Sequence, residues 1–260
     1  MTTNHTFVIC AYKESAFLDE AAATLCAQTI PSKILISTST PNDTIRGVAD
    51  KYGLEVRVNP AGGSSPRDWN FAYAQAETDF VTLAHQDDYY EPEFAEKTMT
   101  ALESSKNPIV AFTNYYELRN GVRTESNHIL RIKRFMCVPF SVAKGSRFLR
   151  NRVFSFGYPV NCPGSTYNKK RFPALDFVTN YNNSHDWEAI SRLAQEKGDF
   201  LYIKELLMGH RIYAESQTTN MVANGQRYNE DYEMFLRYWP KPIAKMLIKR
   251  YSKAYDSNKL

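Results

Sequence analysis

Short apolar runs alternate with helical patterns along the first hundred residues, and this alternation constrains the fold more than any other feature. Strand-like runs at 6–11, 33–38, 54–58 and 80–85 are separated by segments in which apolar residues recur at helical spacing. Strands that alternate with helices in this way are typical of a parallel, doubly wound sheet with right-handed crossovers. The pattern therefore predicts an α/β fold with a mostly parallel central sheet flanked by helices.

Turn and cap residues mark several element boundaries. Asn42 and Asp43 suit a helix start and Gly53 suits its end, since glycine readily adopts the left-handed conformation after a last turn. Asn120-Gly121 is the signal of a tight hairpin, which predicts a small antiparallel part of the sheet.

The second half of the chain gives a weaker pattern. Residues 127–172 are basic and aromatic, and they permit no assignment of elements. A helix is predicted over 183–197, followed by two short strands at 200–203 and 206–213. Beyond residue 220 we expect a helical tail that Pro240 divides.

In the tail, Ile243, Met246, Leu247, Tyr251 and Ala254 are predicted to share one apolar side, with lysines on another. Such a basic amphipathic helix suits either an anionic membrane surface or packing on the rest of the protein.

Composition excludes several classes of protein. The 260 residues suffice for a full core, and no stretch is long enough to span a bilayer. The amino terminus has no basic segment ahead of a long apolar run, so we expect no signal peptide. The four cysteines have no Cys-x-x-Cys spacing, which favours free thiols in a reducing cytoplasm.

The formal charge of +4 is unevenly distributed. Ten Lys or Arg and no acidic residue lie between Glu125 and Asp176. This stretch is either a solvated face or a contact for an anionic group such as an acceptor phosphate. Its aromatic residues form no recognised RNA-binding motif and the net charge is modest, so we expect no nucleic-acid partner.

The run from Phe80 to Pro92 ends in a charged site. Its apolar half is followed by the adjacent carboxylates Asp87 and Asp88, at the carboxyl end of a predicted buried strand. Ligands of open α/β sheets bind at that edge, and paired carboxylates are costly unless a cation or a shared proton relieves them. Taken alone, the pair is consistent with a divalent-cation site or with a helix cap beside a solvated acid.

The ordered motifs of the chain resemble the family 2 glycosyltransferases, which have the nucleotide-diphospho-sugar transferase (GT-A) fold. The resemblance spans about residues 5–219. The matching segments, in chain order, are 7–14, 27–29, 66–70, the Asp-x-Asp-like 85–87 with Asp88 following, 185–188, and 210–216.

The resemblance implies roles for individual residues. Asp87 would hold Mn²⁺ or Mg²⁺, with Asp88 and His210 as further candidate ligands. Asp186 would be the general base, with Glu188 as the second candidate. The predicted contacts with the donor nucleotide-sugar are Ala11, Tyr12, Glu14, Thr40, Asp43, Arg67, His85, Gln86, Asp87 and Arg211.

The implied activity is inverting transfer of a sugar to a hydroxyl group. The donor would be a nucleotide-diphospho-sugar, based on UDP or dTDP, and the acceptor a saccharide or a polyprenyl-linked sugar in surface glycan synthesis. The expected location is the cytoplasm, with peripheral contact at the inner face of the membrane. The predicted layout is a glycosyltransferase domain over 1–219, with a donor half (1–104) and an acceptor half (105–219), and a helical extension over 220–260.

The chain departs from the family pattern in three places. Ser37–Thr40 stands where the family usually has an acidic pair, His85 replaces the first acid of Asp-x-Asp, and Tyr213 replaces a late histidine. These departures motivate an alternative hypothesis, a non-catalytic carbohydrate- or nucleotide-binding protein that retains the fold.

Overall fold

A computed structural model describes residues 4–213 and 225–258, with side chains to residue 255. The nine strands of this part are β1 (His5–Ala11), β2 (Lys33–Thr38), β3 (Glu55–Val58), β4 (Phe80–His85), β5 (Tyr89–Tyr90), β6 (Pro108–Arg119), β7 (Val122–Thr124), β8 (Ser165–Asn168) and β9 (Asp199–Ile212). The helices are α1 (Leu18–Cys26), α2 (Asp43–Tyr52), α3 (Ser65–Gln75), α4 (Phe94–Ser104), α5 (His128–Val142), α6 (Arg147–Phe154), α7 (His185–Leu193), α8 (Gln226–Leu236) and α9 (Lys241–Tyr251). Short 3₁₀ turns lie at Cys162–Gly164 and Ser252–Asn258.

One sheet with strand order β3-β2-β1-β4-β8-β6-β9-β5 forms the centre of the molecule, and β7 pairs with the outer end of β6. The pairs β1–β2, β1–β4, β2–β3 and β6–β9 are parallel. The short strands β5, β7 and β8 pair antiparallel with their neighbours. The predicted α/β class, with a mostly parallel sheet and a small antiparallel part, is confirmed.

The central strands of the sheet are buried on both faces. On β1, Phe7 and Ile9 point into one apolar cluster with α1, α2 and α4, whereas Val8 points into the other with α3 and the later helices. Alternate side chains of a strand face opposite sides, so a strand buried on both sides is a continuous apolar run.

Local signals fix the first half of the chain as expected. The Asn42 side chain accepts a hydrogen bond from the Ile45 N–H at the start of α2, and Gly53 ends that helix with φ of 65°. Asn120 (φ 48°) and Gly121 (φ 80°) turn β6 into β7, the positive pair that a tight hairpin needs.

The region 127–172, unassigned from the sequence, contains α5, α6 and β8. Helix α5 includes Pro139 and leaves large apolar residues exposed, so its sequence lacks a simple amphipathic pattern. Strand β8 has four residues and lies between β4 and β6, and a buried run that short gives no periodicity.

The two strands predicted at 200–203 and 206–213 are wrong as separate elements, because β9 is continuous. Its pairing with β6 shifts between Thr113↔Ile203 and Asn114↔Leu206. The extra residues form a bulge, and the Asn114 side chain donates to the Lys204 carbonyl there (3.2 Å).

The carboxyl-terminal helices pack against α7. Phe235 of α8 and Tyr251 of α9 contact the Trp187 ring, with centroids 5.3 and 5.7 Å away. The predicted apolar side of α9 is partly wrong, since Ile243 and Met246 are exposed. The residues of α9 that are fully buried are Ala244 and Ile248. No helix in the described part of the chain is both long and apolar enough to cross a bilayer.

Two basic residues of the 126–175 stretch are structural. Arg150 is buried, and its guanidinium donates to the carbonyls of Ala194, Glu196 and Gly198 just beyond α7. Lys169 donates to carbonyls at the end of α3. Cations suit the carboxyl ends of helices, where carbonyl groups lack partners.

We predict opposite effects of the same substitution at two glycines. Gly198 has φ of 138°, and a Cβ there would lie 2.5 Å from the Asn107 carbonyl oxygen, whereas Gly47 in α2 has open space. Gly198→Ala is expected to lower the free energy of unfolding by about 2 kcal/mol or more. Gly47→Ala is expected to raise it by about 0.5–1 kcal/mol. Urea unfolding measures both, and equal tolerance would contradict the conformation assigned to Gly198.

Candidate active site

The carboxyl ends of β1, β4 and β9 meet at one edge of the sheet, because these strands run in the same direction. Asp87 and Asp88 follow β4 directly. The next strand, β5, pairs with Gly209 and Met208 of β9. This pairing brings His210 and Arg211, at the end of β9, against the two carboxylates.

Asp88 is buried and held from β9. Its Oδ1 accepts hydrogen bonds from His210 Nδ1 (3.1 Å) and from the Arg211 backbone N–H (2.9 Å). Its Oδ2 has no hydrogen-bond partner among the described residues and lies 3.5 Å from His85 Nδ1. One oxygen of this carboxylate is therefore fixed and the other is left for a ligand.

The electrostatics of the pair are unequal. Burial opposes the ionisation of Asp88, but His210 and the Arg211 N–H together hold its pKa below the usual range. Burial works against protonation of His210 as well, and the Asp88 charge outweighs it, so the pKa of His210 is raised. Burial and the neighbouring Asp88 charge raise the pKa of Asp87. Asp88 is thus the carboxylate of the pair that stays ionised more readily.

Asp87 is held by the end of β9. Its Oδ2 accepts a hydrogen bond from the Tyr213 hydroxyl (2.9 Å), and its carbonyl accepts one from Arg211 Nε (2.8 Å). Arg211 also pairs with Glu20, and its guanidinium carbon lies 4.1 Å from the Phe17 ring centroid. Helix α1 and the residue before it thereby fix the arginine beside the carboxylates.

The residues at the end of β4 fit a divalent cation. His85, Asp87 and Asp88 offer ligand atoms that lie within 4.8 Å of one another. The buried Asp88 Oδ2, without a hydrogen bond among the described residues, is a donor that a hard cation would satisfy. His85, expected as a nucleotide contact, belongs to this group, whereas His210, expected as a ligand, lies against Asp88 as its hydrogen-bond partner.

Hydrogen bonds join the residues that follow β1, β2 and β4, near the predicted nucleotide contacts. The Gln86 side chain accepts from the Tyr12 N–H and donates to the Tyr12 carbonyl, both at 3.0 Å, just beyond Ala11 at the end of β1. Thr40 accepts a hydrogen bond from the Lys13 N–H. Tyr12 and Glu14 are exposed at this edge.

The other two predicted donor contacts are also exposed. Arg67 lies in the first turn of α3 beside Gly63, and Asp43 pairs with Arg46 (3.0 Å). Asp68, next to Arg67, accepts hydrogen bonds from the side chains of Ser39 (2.8 Å) and Asn59 (2.7 Å). Asp68 thereby ties α3 to the ends of β2 and β3.

Trp69 connects the carboxylate pair to the candidate base. Its ring centroid lies 5.0 Å from that of His85 and 4.5 Å from that of His185. Asp186 follows His185 in the first turn of α7, and its Oδ1 accepts from the Trp187 N–H (2.7 Å). Burial raises the pKa of Asp186 to about 7, and the Asp231 charge adds to this. A carboxylate with that pKa can take a proton near neutral pH.

Glu188, the second candidate base, has a different environment. Its carboxylate is buried and pairs with Arg192 (2.8 Å) and with Arg237 (2.7 Å). The two guanidinium groups occupy both oxygens, an arrangement that favours Asp186 for proton transfer.

Helix α8 braces the loop that leads to Asp186. The Glu230 carboxylate accepts from the backbone N–H groups of Asn182 (3.0 Å), Asn183 (2.7 Å) and Ser184 (2.9 Å). Asp231 accepts from the Ser184 hydroxyl (2.7 Å) and from the Tyr255 hydroxyl.

Several of these residues carry no local signal in the sequence. Trp69, Glu20 and Glu230 reach the site from positions far from the residues that they contact, and only the fold brings them there. Of the motif at 210–216, Ala214–Ser216 lie outside the described residues, as does the predicted boundary at 219/220.

Comparisons with known proteins agree with this architecture. The structure of S. aureus TarS 1-349 in complex with UDP-GlcNAc is 14% identical, with a TM-score of 0.64 over 95% of this chain and 70% of that one. The mannosyltransferase PcManGT from Pyrobaculum calidifontis, in complex with GDP-Man and Mn²⁺, is 12% identical, with a TM-score of 0.67 over 98% of this chain and 70% of that one. At such identities the likeness is one of fold.

The family itself is shown by the sequence. A search of curated proteins finds no significant match. The sequence profile of glycosyl transferase family 2, however, matches residues 6–173, which include β1, the Asp87-Asp88 pair and every strand up to β8. The chain therefore belongs to glycosyl transferase family 2, as its motifs and GT-A fold had indicated.

Proposed function

We propose that this glycosyltransferase moves a sugar from a nucleotide-diphospho-sugar to a saccharide hydroxyl with inversion, assisted by a divalent cation. The observation that carries the proposal is the buried Asp88, whose Oδ2 has no hydrogen-bond partner among the described residues, beside Asp87 and His85. Asp186, with its raised pKa, follows His185, and the rings of His185 and His85 both contact the Trp69 ring.

The donor is a UDP- or dTDP-sugar in this proposal. Tyr12, Gln86 and Thr40 at the ends of β1, β4 and β2 would contact the nucleoside, with Ala11, Glu14 and Asp43 beside them. Arg67 and Arg211 would contact the diphosphate, for which the guanidinium fork is suited. The solved TarS complexes contain UDP and UDP-GlcNAc, whereas the PcManGT complex contains GDP-Man.

Asp87, Asp88 and His85 would hold Mn²⁺ or Mg²⁺. Such an ion neutralises the negative charge that develops on a leaving diphosphate. His210 would keep Asp88 oriented and ionised, as partners of ligating carboxylates commonly do.

Asp186 accepts the proton of the attacking acceptor hydroxyl. A single displacement inverts the anomeric centre and needs no covalent intermediate with the enzyme. The acceptor, a saccharide or polyprenyl-linked sugar, would bind in the half formed by residues 105–219, with the donor in the half formed by residues 1–104. We place the reaction in the cytoplasm, in surface glycan synthesis.

The alternative is a non-catalytic carbohydrate- or nucleotide-binding protein. This alternative is favoured by His85, which stands where the family has the first acid of Asp-x-Asp. That protein would bind donor but show no transfer, and the experiments below separate the two.

We predict that Asp87→Ala and Asp88→Asn each abolish the cation-dependent part of donor binding, because each removes a candidate ligand. The cation-dependent part is the difference between the thermal shifts that UDP-, dTDP- and GDP-sugars cause with Mn²⁺ and with EDTA. At a donor concentration of 100 Kd, binding should raise the free energy of unfolding of the wild type by about 2.7 kcal/mol. Asp50→Asn, an exposed acid of α2, is the control and should respond as wild type. Equal responses in all proteins would contradict the cation site.

We predict that the pH profile of transfer reports Asp186. Its pKa of about 7 means that the base form is lost as pH falls through 7, so kcat/KM should drop on the acid side with a midpoint near that value. Asp186→Asn should lower kcat by about 100-fold or more and still bind donor. Glu188→Gln should keep the profile, although its lost ion pairs lower Tm. An unchanged profile in Asp186→Asn would contradict the assignment.

We predict that Glu230→Gln slows transfer without weakening donor binding. An amide presents one acceptor oxygen to three backbone N–H groups, so the loop before Asp186 should shift and kcat should fall about tenfold or more. Glu233→Gln, an exposed position of α8, is the matched control. Steady-state kinetics with donor titration measure both variants, and a change in donor KM alone would contradict the bracing role.

A further inference from the structure

Helix α5 exposes an apolar stripe to solvent. Its outward apolar residues, at spacings of three, three and four, are Ile132, Phe135, Val138 and Val142. Phe135 is 78% exposed and Val142 is 76% exposed. Contiguous apolar surface of this kind on a soluble protein commonly marks an interaction site.

Two further aromatic residues are exposed on α6 and in the turn after it. Phe148 is 69% exposed and Phe156 is 49% exposed. The Arg152 guanidinium carbon lies 5.7 Å from the Phe148 ring centroid and 5.4 Å from that of Trp239. The Phe156 and Trp239 centroids are 5.5 Å apart. These contacts connect α6 and the turn after it to Trp239, which lies two positions before the start of α9.

Helix α9 adds a second exposed element. Ile243 and Met246 point outward, 36% and 52% exposed. A Cβ at Gly157 would lie 2.8 Å from the Tyr251 ring of α9 and 3.6 Å from Met136 Cε of α5, so the two helices meet at this glycine. We define the basic apolar face by its apolar members, Phe135, Val138, Val142, Phe148, Ile243 and Met246.

The two segments that carry these residues have charges of one sign. Residues 126–175 and 241–255 contain no Asp or Glu. Some cations of the first range are structural, such as Arg150. The exposed cations of these two segments include Arg131, Arg147, Arg152, Lys245, Lys249 and Arg250. In the described part of the chain, none of these six has a carboxylate within salt-bridge distance.

We propose that the basic apolar face docks on a membrane surface that carries anionic lipids. Exposed Phe and Val side chains suit the boundary between headgroups and acyl chains, and surrounding Lys and Arg suit lipid phosphates. A second copy of the chain would bring the same cations face to face, so self-association is disfavoured by charge. This docking goes beyond the proposed sugar transfer and does not depend on it.

Sedimentation of the full chain with vesicles tests the proposal. Wild type should bind vesicles of phosphatidylcholine with about 30% phosphatidylglycerol, bind neutral vesicles weakly, and lose binding at high salt. Phe135→Ser combined with Phe148→Ser should weaken binding about tenfold or more. Arg147→Gln combined with Arg152→Gln should weaken it similarly. Val122→Ser, at a 66% exposed apolar residue of β7 outside the face, is the control and should bind as wild type.

Three results would overturn the proposal: no binding to anionic vesicles, equal binding to neutral ones, or unchanged binding in the double Phe variant. A fourth contradicting result would come from light scattering. If the wild type is a dimer and the double Phe variant is a monomer, the face binds a second copy of the chain. Donor-induced thermal shift, measured on the same variants, should be retained. Failure of docking and failure of the sugar-transfer proposal are therefore seen in different measurements.

Discussion

This structure buries several carboxylates in and around its candidate active site. An ionised carboxylate removed from water is costly unless hydrogen bonds or opposite charges compensate. Asp88 is compensated by His210 and the Arg211 N–H, and Glu230 by three backbone N–H groups. The Asp186 carboxylate receives much less compensation of this kind, and its pKa is therefore raised. The unequal compensation separates a carboxylate that stays charged from one that can exchange a proton.

The compensating groups come from the second half of the chain. Strand β9 supplies the partners of Asp87 and Asp88, and α8 supplies the brace behind Asp186. The first half of the chain supplies the carboxyl ends of β1, β2 and β4. It also supplies Trp69, whose ring contacts both His85 and His185. A carboxyl-terminal segment that the sequence presents as an appendage is therefore part of the site's support, and its outward residues remain available for a different surface.

Local chemistry explains which features could be predicted. Asn42, Gly53 and the Asn120-Gly121 turn act on neighbouring residues, so their effects can be inferred from a few positions of sequence. The place of Asp87 and Asp88 followed from the strand that precedes them. The His210–Asp88 hydrogen bond joins residues 122 positions apart, and the contacts of Glu230 span 46 to 48, so neither contact can be inferred from local sequence. The family resemblance offers His210 as a candidate metal ligand and not as the hydrogen-bond partner of Asp88. Helix α5 was missed because its exposed apolar residues obscure the amphipathic pattern that burial alone would produce.

The most direct test is the titration of the Asp186 carboxyl carbon by ¹³C NMR, with Asp186→Asn to assign the signal. We predict a midpoint near pH 7, because burial and the Asp231 charge disfavour the ionised form. The Asp88 signal should remain that of a carboxylate at pH values where Asp186 is already protonated. A midpoint for Asp186 near the ordinary value of about 3.9 would contradict the separation of roles between Asp88 and Asp186.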